Sequence, residues 1–117
     1  MKIRNLAAGL LAILVLSTAT ACGGDSFSLV GVWRDVDGTT RTVNPDGTCY
    51  NFEKVDIGGA RATCQLGSSP DSAGYYTLFV QQGGMNQMNW WAKPDGNDRV
   101  TIYASKGSAP IYQLTRQ

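Results

Sequence analysis

The chain has 117 residues, 43% of them hydrophobic and 16% charged, with 14 Gly, 4 Pro, 3 Cys and no His. That length holds one domain, the apolar content is too high for a disordered chain, and a formal charge of +1 offers no basic field of the kind that draws nucleic acid. Without His, every triad and metal site built on imidazole is excluded.

The first segment reads as a leader. Lys2 and Arg4 supply a positive start, residues 6–16 form an apolar run, and residues 17–21 are small and polar up to Cys22. A run of that length reaches ~17 Å as a helix, about half of a ~30 Å hydrocarbon core, so it is too short for a permanent span. With the leader gone, eight basic and nine acidic residues remain, a net charge of −1. An ordinary secretory signal cut near Ala21 accounts for the pattern. The sharper reading makes Cys22 the first mature residue. Ala19-Thr20-Ala21-Cys22, followed by the flexible Gly23-Gly24-Asp25, resembles the bacterial lipoprotein signal. Such a signal implies acylation of Cys22 by palmitate-type chains, and more than one chain gives a stable anchor. Gly23 stands next to Cys22 where an Asp would favour inner-membrane retention. The resemblance therefore implies the outer membrane facing the periplasm in a Gram-negative cell. The expected division is 1–21 signal peptide, 22–27 lipidated tether and 28–117 folded domain.

Setting Cys22 aside leaves Cys49 and Cys64, an even pair in an exported chain. A disulfide between them would close a loop of about 15 residues and contribute ~3 kcal/mol by restricting the unfolded chain. Two unpaired buried thiols are the alternative. No Cys-X-X-Cys redox motif occurs, so the pair reads as structural.

Turn signals then recur at short intervals: Asp37-Gly38, Asn44-Pro45-Asp46-Gly47, Gly58-Gly59, Ser68-Ser69-Pro70-Asp71, Gly83-Gly84, Lys93-Pro94-Asp95-Gly96, and Gly107 to Pro110. Between them lie eight β-rich segments, at 29–35, 39–44, 48–56, 60–66, 74–82, 87–93, 99–104 and 111–116. None has the length or the 3.6-residue period of a stable helix. Tight links predict an antiparallel meander, and eight strands can close into a small barrel without edges. The expected fold class is all-β, a small eight-stranded antiparallel meander barrel.

Alternation assigns the faces provisionally. Tyr50 and Phe52 share one side of their strand, with Asn51 and Glu53 on the other. Ala60, Ala62, Cys64 and Leu66 oppose Arg61, Thr63 and Gln65, and Val100 and Ile102 oppose Arg99 and Thr101. This puts Cys49 on a polar side and Cys64 on an apolar one. Either a bulge near Cys49 reconciles them, or the staple sits outside the core. Within 74–82, Tyr76, Leu78 and Val80 compete with Tyr75 and Phe79 for the interior, and Trp90 and Trp91 pose the same choice.

Gly31-Val32-Trp33 on the first strand, the Asp-Gly turn after the second, and the closing Tyr112-Gln113-Leu114-Thr115-Arg116 resemble the small lipocalin-like domains of bacterial lipoproteins. The resemblance implies that Trp33 lies across the barrel bottom with Arg116 packed over its indole. A guanidinium over an indole is worth roughly 1–2 kcal/mol when partly desolvated. An unremarkable core Trp and a free terminal Arg is the plainer reading. The chain is shorter than a full lipocalin, and its aromatic residues could fill the barrel instead of leaving a cup. Ser72-Ala73-Gly74-Tyr75 and Trp91-Ala92-Lys93 are also loosely similar to the loops by which periplasmic inhibitors of C-type lysozyme meet their enzyme.

Chemistry is sparse. Glu53 is the only Glu, and most Asp residues sit beside Gly, Pro or Asn in turns. No fixed carboxylate pair, Ser-Lys nucleophile, phosphate cradle or calcium loop is legible. The expectation is a protein that is not an enzyme, with no cofactor, no metal and no catalytic residues. The most unusual run is Gly83-Gly84-Met85-Asn86-Gln87-Met88-Asn89-Trp90-Trp91, which combines flexibility, amides and large contact residues. By alternation Met88 and Trp90 would be core, and Gln87, Asn89 and Trp91 a solvated face. A site here would use Trp91, Tyr75 and Met85, with Asn86 and Gln87 as polar partners. Two functions follow. One is an envelope lipoprotein, anchored to the membrane, that meets an envelope protein partner through its barrel surface. The other is a binding module for a small apolar or amphipathic ligand inside the barrel.

Overall fold

The computed structural model describes residues 26–52 and 61–117. The leader, Cys22, most of the tether and residues 53–60 lie outside the described residues. Eight strands follow in chain order: β1 (Gly31–Asp35), β2 (Thr40–Val43), β3 (Thr48–Tyr50), β4 (Arg61–Leu66), β5 (Tyr76–Gln81), β6 (Met88–Asp95), β7 (Arg99–Tyr103) and β8 (Pro110–Arg116). Each pairs antiparallel with the next, and β8 returns to β1 through Trp33 opposite Arg116 and Asp35 opposite Leu114, closing a lipocalin-type meander barrel. Closure removes the unpaired edges that an open eight-stranded sheet would expose.

The turns form where the Asp-Gly and Pro-Asp-Gly signals lie, because Asp side chains cap the backbone and Gly takes positive φ. Asp37 Oδ1 accepts from Thr39 N at 2.8 Å and Asp46 Oδ1 from Thr48 N at 2.9 Å, while Gly38 and Gly47 sit at φ 88° and 93°. The Thr39 amide holds the Asp37 carboxyl, and the Thr48 hydroxyl followed by the Thr48 amide holds the Asp46 carboxyl, below their ordinary pKa of 3.8. The sixth strand runs further than its sequence suggests: Pro94 and Asp95 belong to β6, opposite Val100 and Arg99, and the turn begins at Gly96.

Period-2 alternation sends Ala62 and Cys64 of β4, Tyr76, Leu78 and Val80 of β5, and Val100 and Ile102 of β7 into the interior. With Trp33, Phe52 and Leu114 they fill the barrel with side chains, as an eight-stranded barrel permits. The choice within 74–82 thus falls to Tyr76, Leu78 and Val80, leaving Phe79 half-buried.

The cysteines correct the expected facing of β3. Cys49 is fully buried and Tyr50 is 39% exposed, yet Phe52 is fully buried. Two inward residues three apart cannot belong to one regular strand. The break is at Asn51, whose φ of 65° ends β3 and turns Phe52 back inward, so Tyr50 and Phe52 do not share a face. Asn, with its short polar side chain, is the residue other than Gly that most readily takes this conformation. Asn51 Nδ2 donates to Thr40 O at 2.7 Å, which ties the turn to β2. With no bulge at Cys49, the Cys49–Cys64 disulfide lies in the core, its Cα atoms 5.9 Å apart. The bulge occurs instead on β8. Ile102 faces Tyr112 and Tyr103 faces Pro110, so Ile111 is the extra residue.

One end of the barrel is plugged. Phe27 and Leu29, just before β1, are buried across it, and Trp33 Nε1 donates to Leu29 O at 2.9 Å. Arg116 lies over Trp33, with Cζ 4.2 Å from a ring centroid. Its Nη1 and Nη2 donate to Val30 O and Ser28 O at 2.8 and 2.9 Å, and Nε donates to Asn97 O at 3.0 Å. The Gly of Gly-X-Trp has a steric reason here. Gly31 has φ +143°, and a Cβ on it would stand 2.6 Å from Arg116 Nη1.

Candidate functional site

The opposite end is the mouth, where the β1–β2, β5–β6 and β7–β8 connections gather. Beneath it lies a buried ion pair. Arg41 Nε and Nη2 donate to Asp35 Oδ2 at 3.0 and 2.9 Å, and Nη1 donates to Asn51 O. Asp35 Oδ1 accepts from Val36 N and Gln113 N at 2.8 and 3.0 Å. Each partner is thus satisfied by the other and by backbone, the condition under which a charge pair tolerates burial. Neither residue stood out in the sequence, because Arg41 sits among Thr residues in what reads as a polar strand.

Arg41 also stacks on Tyr112, with Cζ 3.7 Å from the ring centroid. Tyr112 in turn meets Phe52 and Trp90 edge-on, at 5.5 and 5.8 Å between centroids. This aromatic group carries the floor of a recess of about 590 Å³ that opens to solvent. Its lining includes Gln87, Met88, Asn89, Trp90, Ile111 and Tyr112.

Strand lengths explain why the recess exists. Trp91 pairs with Tyr103 at the last residue of β7, whereas β6 begins three residues earlier, at Met88. Met88, Asn89 and Trp90 are therefore paired with β5 but have no partner in β7. The wall is notched there, and the bulge on β8 sets Ile111, 38% exposed, on the far side of the notch. Gln87 Nε2 donates to Asn89 Oδ1 at 2.9 Å, linking the two amides on the rim.

The residues singled out for binding divide between two places. Gln87 lines the recess. Met85, 39% exposed, and the exposed Asn86 belong to the β5–β6 turn, which folds on itself. There Met85 N donates to Gln82 O at 3.0 Å, and Gln81 Nε2 donates to Gly83 O and Met85 O. Trp91 and Tyr75 pack on the outer wall, edge to face at 6.4 Å, and Tyr103 joins Tyr75 at 5.7 Å. Their faces are covered by the chain's own cations: Lys106 Nζ is 4.2 Å from the Trp91 centroid, and Lys93 Nζ is 5.0 Å from that of Tyr75. Lys106 is also paired with Asp71, whose Oδ1 accepts from Ala73 N and Tyr75 N, both at 2.9 Å. The Lys106 ammonium, followed by the Tyr75 amide, holds the Asp71 carboxyl down at about 2.

Trp90, which alternation allowed as core, is half-buried and inward, while Trp91 is half-buried and outward. Among the described residues, no group of three or more His, Cys, Asp or Glu is arranged to hold a metal. Set against family models, curated proteins and solved structures, the chain gives no match, so its site is read from its own residues.

Proposed function

We propose that this protein is a non-catalytic binding protein of the bacterial envelope that takes a small, uncharged amphipathic ligand at the barrel mouth. The observation that carries the reading is the recess of about 590 Å³, a volume within the range of small-molecule sites. Apolar and aromatic side chains on its floor would bury the ligand's hydrophobic face, and the amides of Gln87 and Asn89 would meet its polar groups. The filled interior argues for a ligand held at the mouth rather than deep in the barrel. Contact with a protein partner through Trp91 and Tyr75 draws less support, since Lys106 and Lys93 already occupy those rings.

A neutral solvatochromic dye such as Nile red tests the reading. Its emission should rise and shift to the blue with the native protein and stay unchanged with Ala104→Trp, which fills the mouth from an exposed position on the recess wall. Dye binding of equal strength to both proteins would place the ligand elsewhere. The envelope address rests on the leader and on Cys22, and labelled palmitate should enter the native chain and be lost from Cys22→Ala.

A further inference from the structure

We infer that the ligand of the mouth recess is a neutral saccharide, held by stacking of a pyranose face on the aromatic floor. This inference rests on the reading of the recess as a ligand site and narrows it.

Four observations converge. Among the described residues, no side chain lining the recess carries a charge, although Lys and Asp occur elsewhere at the mouth and on the outer wall, so these residues offer an ion no partner. The barrel interior beneath it is filled, among the described residues, by Phe52, Leu78, Val80 and Ile102, each fully buried, which argues against a deep channel for an acyl chain. A flat ligand that shows one C–H face to the floor and its polar rim to the sides fits this shape, and a long apolar chain does not. The rim supplies the matching polar groups. The Gln87–Asn89 hydrogen bond uses one amide donor and one acceptor, leaving Gln87 Oε1 to accept from a hydroxyl and Asn89 Nδ2 to donate to one. The notch adds backbone groups, because Met88, Asn89 and Trp90 lack a β7 partner. Neutral amides in an open, wet recess hydrogen-bond hydroxyls directly or through water without the cost of burying a charge.

The test uses the full chain and three probes: cellotriose, tri-N-acetylchitotriose and 1-dodecanol, followed by saturation-transfer-difference NMR and tryptophan fluorescence. The expected result is transfer to the C–H protons of one pyranose face of a saccharide, with affinity lowered about fivefold in Asn89→Ala, as for loss of a single hydrogen bond. Trp90→Phe should weaken it further, and Trp91→Phe, on the outer wall, should leave it unchanged. Asn89 is exposed, so its variant keeps the test valid if Trp90→Phe unfolds. Dodecanol binding without saccharide binding would overturn the saccharide and leave the recess as a ligand site. Binding of neither class would overturn both. Saccharide binding indifferent to Asn89 and Trp90 would overturn the assignment to this recess.

Discussion

Trp90 and Trp91 are neighbours in β6, and the alternation of a strand sends them into two different aromatic groups. The inner group, Trp90 with Tyr112 and Phe52, is backed by Arg41, which is itself neutralised by Asp35. The outer group, Trp91 with Tyr75 and Tyr103, is roofed by Lys106 and Lys93. In both, rings and cations meet. Inside, the cation stacks on Tyr112, and Trp90 and Tyr112 line a solvent-open recess. Outside, the cations lie on top, and Lys106 is pinned there by Asp71 from the β4–β5 connection. The outer rings carry the chain's own lysines on their faces, whereas the inner rings border a recess that opens to solvent. Composition alone does not separate the two cases.

The sharpest way to break this contrast is to remove one half of the inner ion pair. Arg41→Ala strips the buried Asp35 of its cation, and Asp35→Ala leaves Arg41 only the exposed Asp37 at 3.8 Å; each should cost about 3–5 kcal/mol in urea unfolding. The double change to apolar residues should recover much of that loss. A cost below about 1 kcal/mol for the single variants would show that the pair does not support the inner group. The outer rings should keep their near-ultraviolet signals in any variant that still folds.

A second fastener crosses the interior and has no counterpart on the outer wall. Replacing both members of the disulfide, Cys49→Ala with Cys64→Ala, releases a loop spanning 15 residues in the unfolded chain. The midpoint of denaturation should fall by the equivalent of about 2–4 kcal/mol. An unchanged midpoint would mean that packing of Cys49 and Cys64 against their neighbours accounts for the whole effect.

The smallest effect belongs to the outer clasp, and it depends on pH. Asp71 has a folded pKa of about 2 against an ordinary 3.8, so its contribution is complete above the ordinary carboxylate range. That contribution drains away as pH falls from about 4 toward 2, when protonation frees Lys106. Amide and indole NMR signals of Tyr75 and Trp91 should shift together in that window. In Asp71→Asn the shift should vanish while the signals of Trp90 and Tyr112 stay in place. Movement of the inner signals in the same window would falsify the separation of the two groups.

How far the sequence reaches is clearest strand by strand. The eight segments and their turns are legible because the signals are local: a Pro presets its own φ, an Asp caps the amide two residues on, and period 2 needs only a few neighbours. Trp33 and Arg116 were found through a resemblance, and the steric need for Gly31 became evident only with the guanidinium against it. In β3 the same period-2 rule failed, since one left-handed residue, Asn51, resets the alternation and brings Cys49 and Phe52 to the same side. The recess was hidden for a related reason. It arises from a three-residue difference in where β6 and β7 end and from a bulge at Ile111, and neither leaves a mark on either strand alone.

By itself, then, the sequence determined the all-β class, the strand count, most turn positions among the described residues and the richness of aromatic residues from Met85 to Trp91, and it pointed to a Cys49–Cys64 pairing that the fold then made. Tertiary structure decided which of those residues work together. Asp35 takes a hydrogen bond from Gln113, 78 residues away, and Lys106 reaches Asp71 across 35. Such partners are chosen by the closure and register of the barrel, which no local pattern records. The physical reason is that propensity and alternation act within a strand, whereas burial of a charge and occupancy of a ring face depend on what the neighbouring strands bring opposite.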